Sequence, residues 1–321
     1  MFDVTAPPQK KATRYGFGEG LVAAGEKDPR VVVLGSDITG SVMTSMFRDR
    51  FPDRFFSLGI AEQNATTVAV GLALTGYVPF MSTYGVFASA RNLDQLRVSV
   101  CYNEANVKIG GGHAGISVGP DGATHQALEE IAVTRVLPHM TVIVPCDAVE
   151  MKKATIAAAE EITGPVYLRF GREAVPLYTN ESTPFKVGRA EVFREGSDVS
   201  IIACGAMVWE ALVAAEELSK DEIDARVINL HTIKPIDRDA IILAARETGA
   251  IVTAEEHQIH GGLGGAVAEV VVRGHPVPME FVAVNDRFGE SGDPDELMRA
   301  FGLTHREIIA AVKRVLARRG S

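Results

Sequence analysis

The sequence predicts an α/β protein of two domains, each a mainly parallel sheet flanked by helices. Three observations carry the prediction. Short apolar runs rich in valine, isoleucine and leucine alternate with longer helical stretches, the pattern of parallel strands joined by crossover helices. The alternation lapses over residues 176–198, PLYTNESTPFKVGRAEVFREGSD, a turn-rich and charged stretch, and then resumes. A length of 321 residues suits about two domains. The expected domains are 10–178 and 190–321.

Taken in order, the first dozen residues read as a polar arm. A helix is expected over 12–26, broken by Lys27, Asp28 and Pro29. VVVLG (31–35) reads as a buried strand, 42–50 as a short helix and the apolar run 54–58 as a second buried strand. A helix follows from 61, with Ala61, Ala65, Val68, Ala69 and Leu72 on one face. Strands are expected at 77–81, 106–110, 141–145 and 166–169, with helices over 86–100, 126–135 and 147–161. Beyond a short hairpin at 186–194, strands are expected near 199–204, 225–230, 250–254 and 280–284. The helices of that half are expected over 206–219, 237–248, 263–273 and 304–318.

Composition narrows the function classes. A net charge of −9 argues against a nucleic-acid surface, which needs a basic patch. Local arginines and histidines can still receive an anionic ligand at close range. Cys101, Cys146 and Cys204 lie far apart, with no C-x-x-C pair, so neither a disulfide framework nor a zinc site is expected. No run reaches the roughly 18 apolar residues of a membrane span, and the N-terminus lacks an apolar signal core. A cytoplasmic location is expected.

Two stretches can carry chemistry. In RFFSLGIAEQNATTVAVGLALTG (54–76), Glu62 falls in the first helical turn just past the carboxyl end of a strand, where α/β sheets bind ligands. A glutamate there also suits the helix dipole with no further role. Its company, Gln63 and Asn64 between strand and helix, calls for partners or a ligand. The second stretch is the long glycine-rich loop 110–125, which carries His113, Asp121 and His125. GGLGG (261–265) fits no dinucleotide fingerprint and reads as a tight strand-to-helix turn, with His257 and His260 as loop histidines beside it. Walker A, G-x-S-x-G and H-E-x-x-H patterns are absent, which leaves NTPase and hydrolase readings without support.

LGIAEQN (58–64), STYGVFASARNLDQLR (82–97) and GGHAGISVGPDGATHQALEE (111–130) together resemble the pyrimidine-binding domain of the transketolase family. YLRFGRE (167–173) continues the resemblance, and IKPID (233–237), HGGLGGAV (260–267), DRFGESG (286–292) and FGLTHREI (301–308) resemble the family's C-terminal domain. The resemblance implies thiamine diphosphate as cofactor, with Glu62 hydrogen-bonded to its aminopyrimidine ring. Phe87 and Tyr84 would form an aromatic wall for that ring, and Asp37 would line the cleft. The position three beyond Phe87, often aromatic in the family, is Ala90 here, so the wall is thinner. Arg14, Arg172, Ser41 and His113 match the family's sugar-phosphate ligands, and guanidinium forks suit phosphate oxygens. Asp121 would bind a substrate hydroxyl, and His125 would lie beside the reacting carbon.

The family's diphosphate site, a Gly-Asp-Gly motif with a later asparagine that holds Mg2+ or Ca2+ on the diphosphate, has no counterpart here. The resemblance therefore implies the C-terminal subunit of a split transketolase, moving a two-carbon ketol unit from a ketose phosphate to an aldose phosphate. A diphosphate-binding N-terminal subunit would supply the metal ligands, in an α2β2 assembly. Other readings share part of the pattern: a 2-oxoacid dehydrogenase β subunit, a deoxyxylulose-phosphate synthase fragment, and a scaffold that kept the fold without the chemistry.

Overall fold

The computed structural model describes Val4 and residues 8–319, so half of the expected polar arm lies outside the described residues. Two mainly parallel sheets, each flanked by helices, form the molecule. The first has seven strands in the order Thr232–Lys234, Thr141–Ile143, Val166–Arg169, Lys108–Gly112, Val78–Tyr84, Val31–Gly35 and Phe55–Ser57. All its pairings are parallel except that of Thr232–Lys234, which runs antiparallel to Thr141–Ile143. That strand comes from the second half of the chain and extends the sheet of the first. It was not expected from the sequence, and it ties the two halves together.

The central strands are buried along their length and mostly apolar, as sheets covered on both faces require, with Lys108 and Arg169 as buried exceptions. Lys108–Gly112 extends two residues into the glycine run expected to be loop. A Cβ on Gly111 would lie 2.1 Å from the Tyr167 hydroxyl, so only glycine lets the aromatic layer close over this strand. Phe55–Ser57 is the sheet edge, and Phe56 is exposed, so the expectation of a buried strand there does not hold. An edge strand buries one side at most.

The second sheet orders Met279–Val284, Ile251–Gln258, Val199–Ala203, Ala225–Asn229 and Glu191–Arg194, the last antiparallel. The hairpin expected at 186–194 is absent. Lys186 to Arg189 closes a turn through the Arg189 amide and Lys186 carbonyl at 3.0 Å, and Glu191–Arg194 pairs with Ala225–Asn229 instead. The helix Pro294–Ala300 and the small antiparallel pair Lys10–Ala12 with Ala174–Pro176 are further elements the sequence reading lacked. Among the described residues, no helix is long and apolar enough to cross a membrane.

One apolar core runs from the first sheet to the second, through Leu34, Ile109 and Tyr167 to Ile202, Ile228 and Val267. Each fully buried aliphatic side chain in it is worth about 1.5–3 kcal/mol. Buried polar groups stitch the same junction. Asp147 caps the helix Ala148–Glu160 through the Val149 and Glu150 amides, both at 3.0 Å, and also accepts from the Thr179 amide at 2.8 Å. Glu150 accepts from the Cys146 amide and from Asn229 Nδ2, both at 2.7 Å. Burial pushes its carboxyl up to about 7, against those two hydrogen bonds.

Candidate functional site

Glu62 is the first residue of the helix Glu62–Leu74, reached through a left-handed turn at Gly59 (φ +72°). Its side chain is 3% exposed. It accepts from Arg91 Nη1 at 2.8 Å and, more loosely, from Thr83 Oγ1 at 3.4 Å. Gln63 and Asn64 point to solvent, so they need no partner within this chain, contrary to the expectation for the polar triplet. On the strand and helix that flank Glu62 and on the helical stretch that carries Arg91, Phe56, Ile60, Val68, Leu93, Val98 and Tyr102 are exposed, with Ile60 at 73% and Tyr102 at 82%.

Arg91 is the functional residue that sequence reasoning missed. The helix after Tyr84 is widened into π turns at Phe87–Arg91 and again at Leu96–Tyr102. Such turns are frequent at functional sites. The first carries the Arg91 guanidinium over the Phe87 ring, 4.1 Å from its centroid, and onto Glu62. One planar cation thus lies on the ring and pairs with the carboxylate. The i, i+4 spacing of Phe87 and Arg91 was the available signal.

Four rings converge beside this pair. Tyr84, the last residue of Val78–Tyr84, stands 4.2 Å from His113 and 5.7 Å from His125, centroid to centroid. Phe87 is 5.6 Å from His125 and 6.2 Å from Tyr84. His113 holds a left-handed backbone (φ +54°), costly for a non-glycine residue and often seen where a site imposes it. Its ring is buried and Nδ1 has no hydrogen-bond partner. Burial, followed by the charges of Arg14 and Arg172, lowers its pKa to about 4, so the imidazole is neutral near pH 7. A neutral, buried and partly unpaired imidazole is suited to receive a polar ligand.

The remaining candidates gather around His113, which feels the charges of Arg14, Arg172, Asp121 and His125. Arg14 Nη1 donates to the Ser41 carbonyl at 3.1 Å, while its buried Nε has no partner. Arg172 Nη1 donates to Asp121 Oδ1 and to the Val118 carbonyl, both at 3.2 Å. Asp121 and Arg172 are each about a third exposed (34% and 32%), so a ligand can compete for either. Asp37 is exposed and in a left-handed conformation (φ +64°) past the end of Val31–Gly35. The structure therefore joins Glu62, Tyr84, Phe87, His113 and His125 with Arg14, Ser41, Asp121 and Arg172.

The glycine run 261–265 is a strand-to-helix turn. Glu255 accepts the Leu263 and Gly264 amides at 2.7 and 2.8 Å and caps the helix Leu263–Gly274. His257 is a buried strand residue rather than a loop histidine, and the Ala132 amide approaches its Nε2 at 3.4 Å.

Residues 9–177 match the family model described as "Transketolase, pyrimidine binding domain", and residues 188–308 match "Transketolase, C-terminal domain". A protein of Methanocaldococcus jannaschii, "Putative transketolase C-terminal section", is 44% identical over 93% of this chain and 94% of its own length. The "6-deoxy-6-sulfo-D-fructose transketolase subunit SqwH" of Clostridium sp. is 42% identical over 93% of this chain and 92% of its own. A solved structure described as "Split gene transketolase, inactive beta4 tetramer" superposes with a TM-score of 0.87 at 46% identity, over 96% of this chain and 99% of that one.

Proposed function

The chain belongs to the transketolase family, and from that premise we propose that it is the C-terminal subunit of a two-chain, thiamine-diphosphate-dependent transketolase. It moves a two-carbon ketol unit between sugar phosphates once a diphosphate-binding partner is present. The observation that carries this reading is the buried Glu62 carboxylate paired with the Arg91 guanidinium that lies over the Phe87 ring, on a chain that leaves apolar side chains exposed just before Glu62 and along the π-widened helix. A carboxylate so placed suits a partner that brings a heteroaromatic base and closes the site to water. Residues 10–178 then form the pyrimidine-binding unit and 190–321 the C-terminal unit.

Thiamine diphosphate, when bound, supplies a nucleophilic carbon and an electron sink for the two-carbon unit. The residues present fit its aminopyrimidine ring: Glu62 offers an acceptor, and Phe87 and Tyr84 offer ring faces. Glu62 would share a proton with the pyrimidine nitrogen, and the exclusion of water would strengthen that hydrogen bond. Asp37 lines the cleft. The metal on the diphosphate, Mg2+ or Ca2+, takes its ligands from the partner chain, in an α2β2 assembly. That a relative of this family is described as an inactive β4 tetramer supports a half-enzyme that is idle alone. Three unpaired cysteines suit the reducing cytoplasm as its location.

On the substrate side, Arg14, Arg172, Ser41 and His113 grip the phosphate. Asp121 takes a sugar hydroxyl, and His125 orients the hydroxyls beside the reacting carbon. Phosphate displaces the Arg172–Asp121 pair, freeing Asp121 for the sugar. Arg172→Ala in the assembled enzyme is therefore expected to raise KM for a sugar phosphate about 10- to 100-fold, the value of a charged hydrogen bond. The change in kcat is expected to be small. An unchanged KM would remove Arg172 from the phosphate site.

A further inference from the structure

The loop that carries His113, Asp121 and His125 belongs to the first unit in sequence, but its inner side is held by the second. Glu256, on the strand Ile251–Gln258, accepts the Ser117 amide at 2.7 Å. Gly115 lies directly against that carboxylate. At its φ of +90°, an added Cβ would fall 2.2 Å from Glu256 Oε1. Past the far end of the loop, Gln126 Nε2 donates back to the Ile116 carbonyl at 3.0 Å and across to the Glu290 carbonyl at 2.9 Å. Between these anchors a Cβ on Gly122 would meet Ser291 Oγ at 2.5 Å. The loop is thus seated on the second unit at both ends and in the middle.

Glu256 is itself fixed. Its carbonyl accepts Arg169 Nη2 at 2.6 Å, and Arg169 Nε pairs with buried Glu130 at 2.5 Å. Glu130 opens the short helix Glu130–Arg135 that follows the loop. A closed circuit results: Ser117 to Glu256, Glu256 to Arg169, Arg169 to Glu130, and back along the chain through Gln126 to the loop.

We propose that Glu256 is a positioning residue for the sugar-phosphate site, setting the separation of His113 from the Asp121–Arg172 pair by holding the Ser117 amide. The inference rests on the assignment of this loop to the sugar phosphate under Proposed function. It gives the C-terminal unit a part in substrate recognition without contact with substrate. Misplacing a recognition loop by about 1 Å can cost as much as 100-fold in rate. Glu62 is held by Arg91 and Thr83, both outside the loop, and the Ser117 anchor is separated in sequence from His113 and His125, whose rings face Tyr84 and Phe87. Cofactor affinity is therefore expected to change far less than KM for the sugars.

The test compares wild type with Glu256→Ala, Glu256→Asp and Glu256→Gln, each assembled with the diphosphate-binding partner. The assays use a five-carbon ketose phosphate donor and a five-carbon aldose phosphate acceptor. Glu256→Ala is expected to raise KM for both sugars by about 10-fold or more and to speed amide exchange over 114–122. The affinity for thiamine diphosphate should stay within about twofold of wild type. Glu256→Gln keeps an acceptor oxygen at full reach and is expected to restore most of the loss. Glu256→Asp keeps the charge but withdraws it by one methylene, so it should behave as the alanine variant even if the alanine variant folds poorly. Wild-type KM and exchange in both Glu256→Ala and Glu256→Asp would overturn the proposal. So would a parallel loss of cofactor affinity, which marks general destabilisation. If wild type is inactive on every sugar phosphate, the functional reading fails and the positioning proposal falls with it; unchanged loop exchange would refute the anchoring separately.

Discussion

Glu62→Gln is expected to lower ketol transfer by at least about 100-fold in the assembled enzyme, within the range usual for a positioned acid–base group. The substitution keeps the shape of a side chain that is 3% exposed, so no cavity is left. It removes only the acid–base function and the charge facing Arg91. Arg91 is 43% exposed and can turn to water when its partner is neutral, so folding and assembly are expected to survive. Turnover measured beside size-exclusion chromatography of the complex separates the outcomes. Intact assembly with wild-type turnover would favour a scaffold that kept the fold without the chemistry.

The largest stability effect is expected at the junction of the two units. Arg169 and Glu130 are paired with side chains 6% and 0% exposed. Burial raises the Glu130 carboxyl pKa, and the Arg169 charge opposes that rise. Arg169→Leu removes the opposing charge and strands the carboxylate inside the protein. The loss is expected to be about 3–5 kcal/mol, the range for breaking a buried pair from one side. Replacing both partners, Arg169→Leu with Glu130→Leu, is expected to recover part of it, because Glu130 is then no longer an orphaned charge, while buried Glu256 still lacks the opposing Arg169 charge and keeps the recovery incomplete. Denaturant unfolding of the three proteins measures this. A single-variant loss below about 1 kcal/mol would show that water reaches Glu130 and that the pair behaves as a surface one.

What the sequence discloses follows from how local each signal is. VVVLG and VYLR announce buried strands because every residue in them is apolar or can be covered, and the surrounding helices carry 3.6-residue periodicity. Glu62 is legible because strand, turn and helix lie within a few residues of one another. Thr232–Lys234 is not legible as a strand of the first sheet, because its pairing with Thr141–Ile143 lies some ninety positions away and no local propensity encodes it. The expected hairpin fails for the same reason: Glu191–Arg194 finds its partner in Ala225–Asn229. Arg91 escapes notice because a π turn shifts the helical register that would have placed it. The Ser117–Glu256 contact joins residues 139 positions apart, and only the folded chain reveals it.

We propose that a second chain completes the cofactor site. Calorimetric titration with thiamine diphosphate and Mg2+ tests it most directly, first on this protein alone and then on its mixture with the diphosphate-binding partner. The expected result is no binding by the single chain and saturable binding, with ketol transfer, by the mixture. Tight Mg2+-dependent binding by this chain alone would place a complete diphosphate site within it and rule out a site shared between two chains.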